Sequence, residues 1–328
     1  MAVEQGTGEQ QGLDWFEMIC AARKRIYGLV SETPVEVVNN ETRIPESTQA
    51  FLKLEHLQKT GSFKLRGAAN KVLSLSSAEA TAGVVTSSTG NHGLAVAAAA
   101  KYRGIDAEVY VSEQVPTAKL RWIEGYGGRI RRIGQNPLDA EVAAREAAAG
   151  SGRIYISPYN DAYVVAGQGT IASELCHQVQ EIDAIFVAVG GGGLISGIGT
   201  YLRTASPRTQ VIGCWPENSR VLCESLKAGR VIKFPESPTL SESTAGGVEQ
   251  GSITFELCRK VVHSSVLVSE NEILDALRWA HKRGWIVEGS VAVAMAAYFK
   301  QAPLWAGKTI VIVCCGGNVS PEVLRQLQ

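Results

Sequence analysis

"DAIFVAVGGGGLISG", Asp183–Gly197, passes from a run of apolar and β-branched residues through four successive glycines into a segment of helical character. A short, continuous apolar run bounded by glycines suits a strand covered on both faces, as in a parallel sheet. Gly190, Gly191, Gly192 and Gly193 let the backbone turn sharply and present several N–H groups. The helix opened by Leu194 adds positive potential at its start. Such a turn suits a phosphate; the plainer alternative is a tight strand-to-helix connection with no ligand. It is not a GxGxxG fingerprint, because Ser196 stands in place of the third glycine and no acidic residue closes a following strand, which argues against a nucleotide-dependent dehydrogenase.

The same grammar recurs along the chain. "GVVTSS", "AEVYVS", "RIYIS", "QVIGCW" and "TIVIVCCGG" alternate with Ala-, Leu- and Glu-rich stretches, the pattern of an α/β fold with a parallel sheet. A helix is predicted from about Leu13 to Val30, before the Thr33-Pro34 break, and the first dozen residues are expected to fray. A length of 328 residues exceeds what one core serves and implies two domains, with boundaries expected around Ser74 to Gly83 and near Asn160. The 32 basic and 32 acidic residues cancel, so no pull toward nucleic acid or membrane follows. Seven scattered cysteines without zinc spacing read as reduced thiols, and the polar N-terminus lacks a signal-peptide pattern; both suit a cytoplasmic protein.

Three further stretches could carry chemistry. "SSTGNHG", Ser87–Gly93, sets hydroxyls, an amide and an imidazole at another strand end, where Ser88, Thr89 and backbone N–H groups can bind a carboxylate. The competing reading has Ser88 and Asn91 capping the Ala-rich helix that follows, with His92 packing. In "KTGSFKLRGA", Lys59–Ala68, Lys64 follows the aromatic Phe63. A lysine amine becomes nucleophilic and forms Schiff bases when burial or nearby cations lower its pKa. With Lys53, Lys59 and Arg66 close by, a solvated basic segment is the alternative. "IVIVCCGGNVS", Ile310–Ser320, puts Cys315 at the end of an apolar strand, where a thiol reads as inert packing.

Taken in order, "GSFKLRGA", "SSTGNHG", "AGQGTIASEL" (Ala166–Leu175), "VGGGGLISG" and "CGGNVS" resemble the serine/threonine dehydratase family of pyridoxal 5'-phosphate enzymes, fold type II, from about Thr33 to the C-terminus. The resemblance implies two open, twisted, mostly parallel sheets flanked by helices, similar to the tryptophan synthase β fold, with the cofactor in a cleft. The large domain would comprise 1–75 and 161–328, and a small mobile domain 76–160. It implies that Lys64 carries the cofactor as a Schiff base, that Phe63 packs beside the ring and that Asn91 bonds the ring hydroxyl. Gly190 to Gly193 with Leu194 would hold the phosphate, and Cys315 would face the pyridine nitrogen. A neutral thiol there would not hold that nitrogen protonated, which favours β-elimination over transamination. Ser88, Thr89, Gly90, His92, Tyr159 and Gly246 would line the substrate, with Gly246 standing where relatives often carry aspartate.

The activity so implied is β-elimination of water from a hydroxy amino acid of the L-threonine or L-serine type, giving a 2-oxo acid and ammonia. Lys64 would remove the Cα proton, and Ser88 and Thr89 would assist. "WPENSRVLCESLKAG" and "ESTAGGVEQGSITF" also resemble the hydroxyectoine-utilisation branch, which would act on a larger hydroxylated derivative. A serine-type racemase and a non-catalytic phosphometabolite-binding protein are the other readings. Trp215-Pro216 and Val221 replace the family's cation-binding carboxylates, so no magnesium or calcium is expected there. The family's dimers or tetramers imply a homo-oligomer, and the short tail after the last glycine motif is read as leaving no room for a regulatory domain.

Overall fold

The computed structural model describes residues 14–38, 43–319 and 321–327; the fraying expected of the first dozen residues lies outside them. Among the described residues ten strands form: β1 (Val35–Val38), β2 (Gln49–Lys53), β3 (Val84–Ser87), β4 (Ala107–Val111), β5 (Arg129–Arg132), β6 (Ile154–Tyr155), β7 (Ala184–Ala188), β8 (Gln210–Pro216), β9 (Ser264–Val268) and β10 (Thr309–Val313). The larger sheet runs β1-β2-β10-β7-β8-β9 and the smaller β5-β4-β3-β6. Every neighbouring pair is parallel except β1 with β2. These are two open, mostly parallel sheets flanked by helices: the alternation of apolar and helical segments implied the α/β class with a parallel sheet, and the family resemblance implied that there are two sheets.

β7 is buried along its whole length, which explains its unbroken apolar sequence. It lies beside β10, with Ile310, Val311 and Ile312 facing Ala184, Ile185 and Phe186 in register. β1, β2, β5 and β9 lack a clear apolar signature in sequence. β5, "RIRR", pairs only with β4, and its side chains stay largely exposed. Its arginines are usable because Glu108 of β4 lies across the pair, 2.8 Å from Arg131.

The first helix spans Trp15–Arg25, shorter than the expected reach to Val30. Asp14 caps its start through the amides of Phe16 and Glu17. Past Ile26, Gly28 takes φ +86°, a left-handed conformation that ends the helical path. No helix among the described residues is long and apolar enough to cross a membrane.

The "AGQG" stretch is a seam between helices. The helix Ala162–Gln178 crosses the helices Lys64–Ser74 and Gly193–Ala205 at glycine contacts. A Cβ on Gly167 would stand 2.5 Å from the Arg66 carbonyl oxygen, and one on Gly169 would stand 2.8 Å from that of Gly197. Both are too close for any real side chain. The seam therefore ties the helix that begins at Lys64 to the helix that begins at the four-glycine turn.

Candidate active site

β10 organises the site at its carboxyl end, where parallel sheets place ligands. Beyond Val313 the chain continues through Cys314, Cys315, Gly316 and Gly317, and residues 61–63 pair with it. Phe63 N–H donates to Cys315 O at 2.9 Å, Gly317 N–H donates to Gly61 O at 2.9 Å, and Ser62 bridges Gly316. Gly61, at φ +72°, packs so closely on the Asn318 side chain that a Cβ would collide with it. Lys64 starts the next helix, directly after this rung.

The Lys64 amine donates to Pro158 O at 2.8 Å and lies 5.2 Å from the centre of the Phe63 ring. Burial lowers its pKa to about 8, against the opposing pull of Cys315 and Glu288. Only the neutral amine condenses with a carbonyl. Capture of pyridoxal phosphate by the apoprotein should therefore accelerate with pH and level off above about 8, rather than above about 10 as for an ordinary lysine. Stopped-flow absorbance measures this, and a rate still climbing steeply past pH of about 9.5 would count against the depressed amine.

The glycine turn sits at the carboxyl end of β7. Gly192 takes φ +85°, and the first intrahelical bond after it runs from Ser196 N–H to Gly192 O at 2.9 Å. The amides ahead of Ser196 are those that a helix leaves without internal partners, and they suit an anion. A Cβ on Gly190 would stand 2.8 Å from the Thr244 carbonyl oxygen, and one on Gly191 would stand 2.5 Å from the Tyr159 ring. Thr254 Oγ1 donates to Gly191 O at 2.7 Å from below, and Leu194 is buried in the first turn. Gly192→Ala would force a Cβ 2.9 Å from Leu222 Cδ2 at a left-handed φ. We expect about 1–3 kcal/mol of strain, read as roughly five- to 150-fold loss of cofactor affinity in a binding titration.

The "SSTGNHG" loop follows β3 and opens the helix Asn91–Arg103. Ser88 and Thr89 are half-buried and Gly90 is exposed, with Gly90 N–H donating to Ser88 Oγ at 3.2 Å. The capping reading is corrected: Gly90 holds the N-cap position and no side chain caps this helix. Asn91 instead reaches across the chain to Glu288, donating from Nδ2 to Oε2 at 2.8 Å, and its Oδ1 accepts from Asn318 Nδ2 at 2.6 Å. His92 is buried, with Nε2 3.0 Å from Ile156 O. Burial, and then the Lys64 charge, push its pKa down to about 3, so it stays a neutral imidazole behind the amine.

Tyr159 lies between Lys64 and the glycine turn: its neighbour Pro158 accepts from Lys64, its ring covers Gly191 while its Cα and Cβ lie against Gly193, and its hydroxyl accepts from Glu249 N–H at 3.1 Å. Gly246 is exposed at φ +119°, donates to Glu236 Oε1 at 3.0 Å and has open space where a Cβ would stand. Its backbone conformation by itself calls for glycine. Sequence reasoning missed Glu288, Ser290 and Ser243. Glu288 precedes the helix Gly289–Gln301 and accepts from Ser290 Oγ at 2.5 Å and from Ser243 Oγ at 2.7 Å. Ser290 Oγ lies 3.0 Å from Cys315 Sγ. A lone carboxylate ahead of "GSVAVAMAA" was the available signal, since a buried acid needs partners.

A lysine amine depressed to about 8 and a glycine turn with free amides, on loops tied together by hydrogen bonds, are what a phosphorylated aldehyde cofactor requires. The chain belongs to the pyridoxal-phosphate-dependent enzymes, within the fold type II serine/threonine dehydratase family: residues 26–316 match the family described as "Pyridoxal-phosphate dependent enzyme". It is 37% identical over 280 residues to an L-threonine ammonia-lyase of Thermotoga maritima, covering 85% of this chain and 69% of that one. It is 35% identical to a beta-hydroxyaspartate dehydratase of Paracoccus denitrificans, covering 94% and 98% of the two chains. The structure of maize serine racemase superimposes with a TM-score of 0.86 at 32% identity, covering 95% of each chain.

Proposed function

We propose that the protein eliminates water from a β-hydroxy amino acid, and that hydrolysis of the resulting enamine returns one water and gives a 2-oxo acid and ammonia. The observation that carries this is the Lys64 amine at about 8, which exchanges protons near neutral pH beside an anion-suited glycine turn. Pyridoxal phosphate, when bound, supplies the electron sink that makes a Cα proton removable. Lys64 takes that proton. Gly190 to Gly193 and Leu194 bind the phosphate group, and Phe63 packs beside the ring. Ser88, Thr89 and Gly90, at the start of a 13-residue helix, receive the substrate carboxylate. His92, neutral and buried, keeps a second cation away from Lys64. Tyr159 closes the space between the amine and the turn and excludes water.

The relatives named for threonine, hydroxyaspartate and serine chemistry support a hydroxy amino acid as substrate. The resemblance of residues 242–255 to the hydroxyectoine-utilisation branch supports including larger hydroxylated derivatives. The test offers L-threonine, L-serine, 3-hydroxyaspartate and such derivatives, and measures 2-oxo acid, ammonia and the enantiomer of the recovered amino acid. Dominant 2-oxo acid and ammonia are expected. D-Serine as the main product from L-serine would replace the lyase reading with a racemase.

A further inference from the structure

We propose that Glu288 is a positioning residue that fixes which way the hydrogens point on Asn91 and Cys315, the two groups assigned to opposite sides of the cofactor ring. The inference rests on the same site as the proposed lyase. Glu288 is buried and receives three donors: Asn91 Nδ2 on Oε2, and Ser243 Oγ and Ser290 Oγ on Oε1. Ser290 has one proton, and Glu288 takes it. The 3.0 Å contact between Ser290 Oγ and Cys315 Sγ is then the thiol donating to the hydroxyl. Burial, with Glu288 nearby, raises the Cys315 pKa and keeps that proton in place. The sulfur then meets the ring nitrogen with lone pairs and no proton, an acceptor that favours a protonated nitrogen, the opposite of what a neutral thiol there implies by itself.

Asn91 is fixed by the same carboxylate. One amide N–H goes to Glu288 and Oδ1 accepts from Asn318, so a single N–H remains to meet a ring oxygen. Glu288 thus presents the ring with one donor at its oxygen and one acceptor at its nitrogen. Glutamine at 288 would lift this constraint, because its amide both donates and accepts. Ser290 could then turn its proton to Cys315, and the thiol could turn its own outward.

The test reads the ratio of the two absorption bands of the bound cofactor, in holoprotein without substrate. Glu288→Gln is expected to change that ratio by about twofold or more, the lower end of coupling within one hydrogen-bonded network. Glu288→Asp should recover part of it, and in a Ser290→Ala background the effect of Glu288→Gln should shrink. An unchanged ratio, or a full-sized change in the Ser290→Ala background, overturns the proposal. If Glu288→Gln does not fold, Ser290→Ala alone serves, with an unchanged ratio again decisive against it. The readout needs no turnover, so failure of the lyase reading in the substrate panel leaves this result interpretable.

Discussion

Lys64→Ala is expected to lower release of 2-oxo acid and ammonia by roughly 10²–10⁴-fold or more, the range for loss of a positioned proton acceptor, with loss of the covalent hold on the cofactor added. The fold should survive, because the substitution removes a cation from a place where burial already disfavours it. Among the described residues the amine donates to Pro158 O alone, a carbonyl of a half-buried loop residue. Coupled assays of both products, run beside thermal melting, separate lost chemistry from lost structure. Turnover close to that of the parent would take Lys64 out of the mechanism.

Arg66→Ala is expected to cost about 3–5 kcal/mol of stability in denaturant unfolding, the range for removing one partner of a buried ion pair. Arg66 sits in the first turn of the Lys64 helix, fully buried. It bonds Glu55 at 2.7 Å and Glu174 at 2.6 Å, and Lys53 closes the cluster 2.5 Å from Glu174. Removing Arg66 leaves Glu55 buried without its cation. Burial raises the pKa of that carboxyl, and Arg66, together with Lys53 and Thr33, more than offsets it. The cluster joins the short turn Glu55–Leu57 to the helices Lys64–Ser74 and Ala162–Gln178, so cofactor retention should weaken as well. Arg66→Lys should restore part of the loss, because lysine keeps the charge but not the forked geometry. A change below about 1 kcal/mol would mean that the cluster contributes little to holding Lys64.

Strands that are buried on both faces were legible because burial demands an unbroken apolar run. β7 and β10 are of this kind, and the glycine turns that follow them announce themselves. β2 and β5 were not legible. "QAFLK" ends in a lysine that reads as surface, yet Lys53 is fully buried because Glu174, Thr33 and Gln178 receive its amine. "RIRR" reads as a basic patch, yet an edge strand needs only backbone pairing and an acid opposite. Asn91 could have been a cap or a ligand on sequence alone; a carboxylate 197 residues further on made it neither an N-cap nor free.

By itself the sequence determined the α/β class, the strand-to-helix turns and the residue types that chemistry at a lysine requires. These are local consequences of periodicity, backbone freedom and side-chain inventory, and nearby residues suffice to express them. The tertiary structure alone decided how those residues behave. Lys64 is an ordinary cation in its own segment, and it becomes a depressed amine only once distant chain removes water from around it. Cys315 reads as an inert thiol in its own segment, and it acquires a direction for its proton only through Ser290 and Glu288. Desolvation and hydrogen-bond polarity depend on what surrounds a group in space, and no stretch of sequence specifies that on its own.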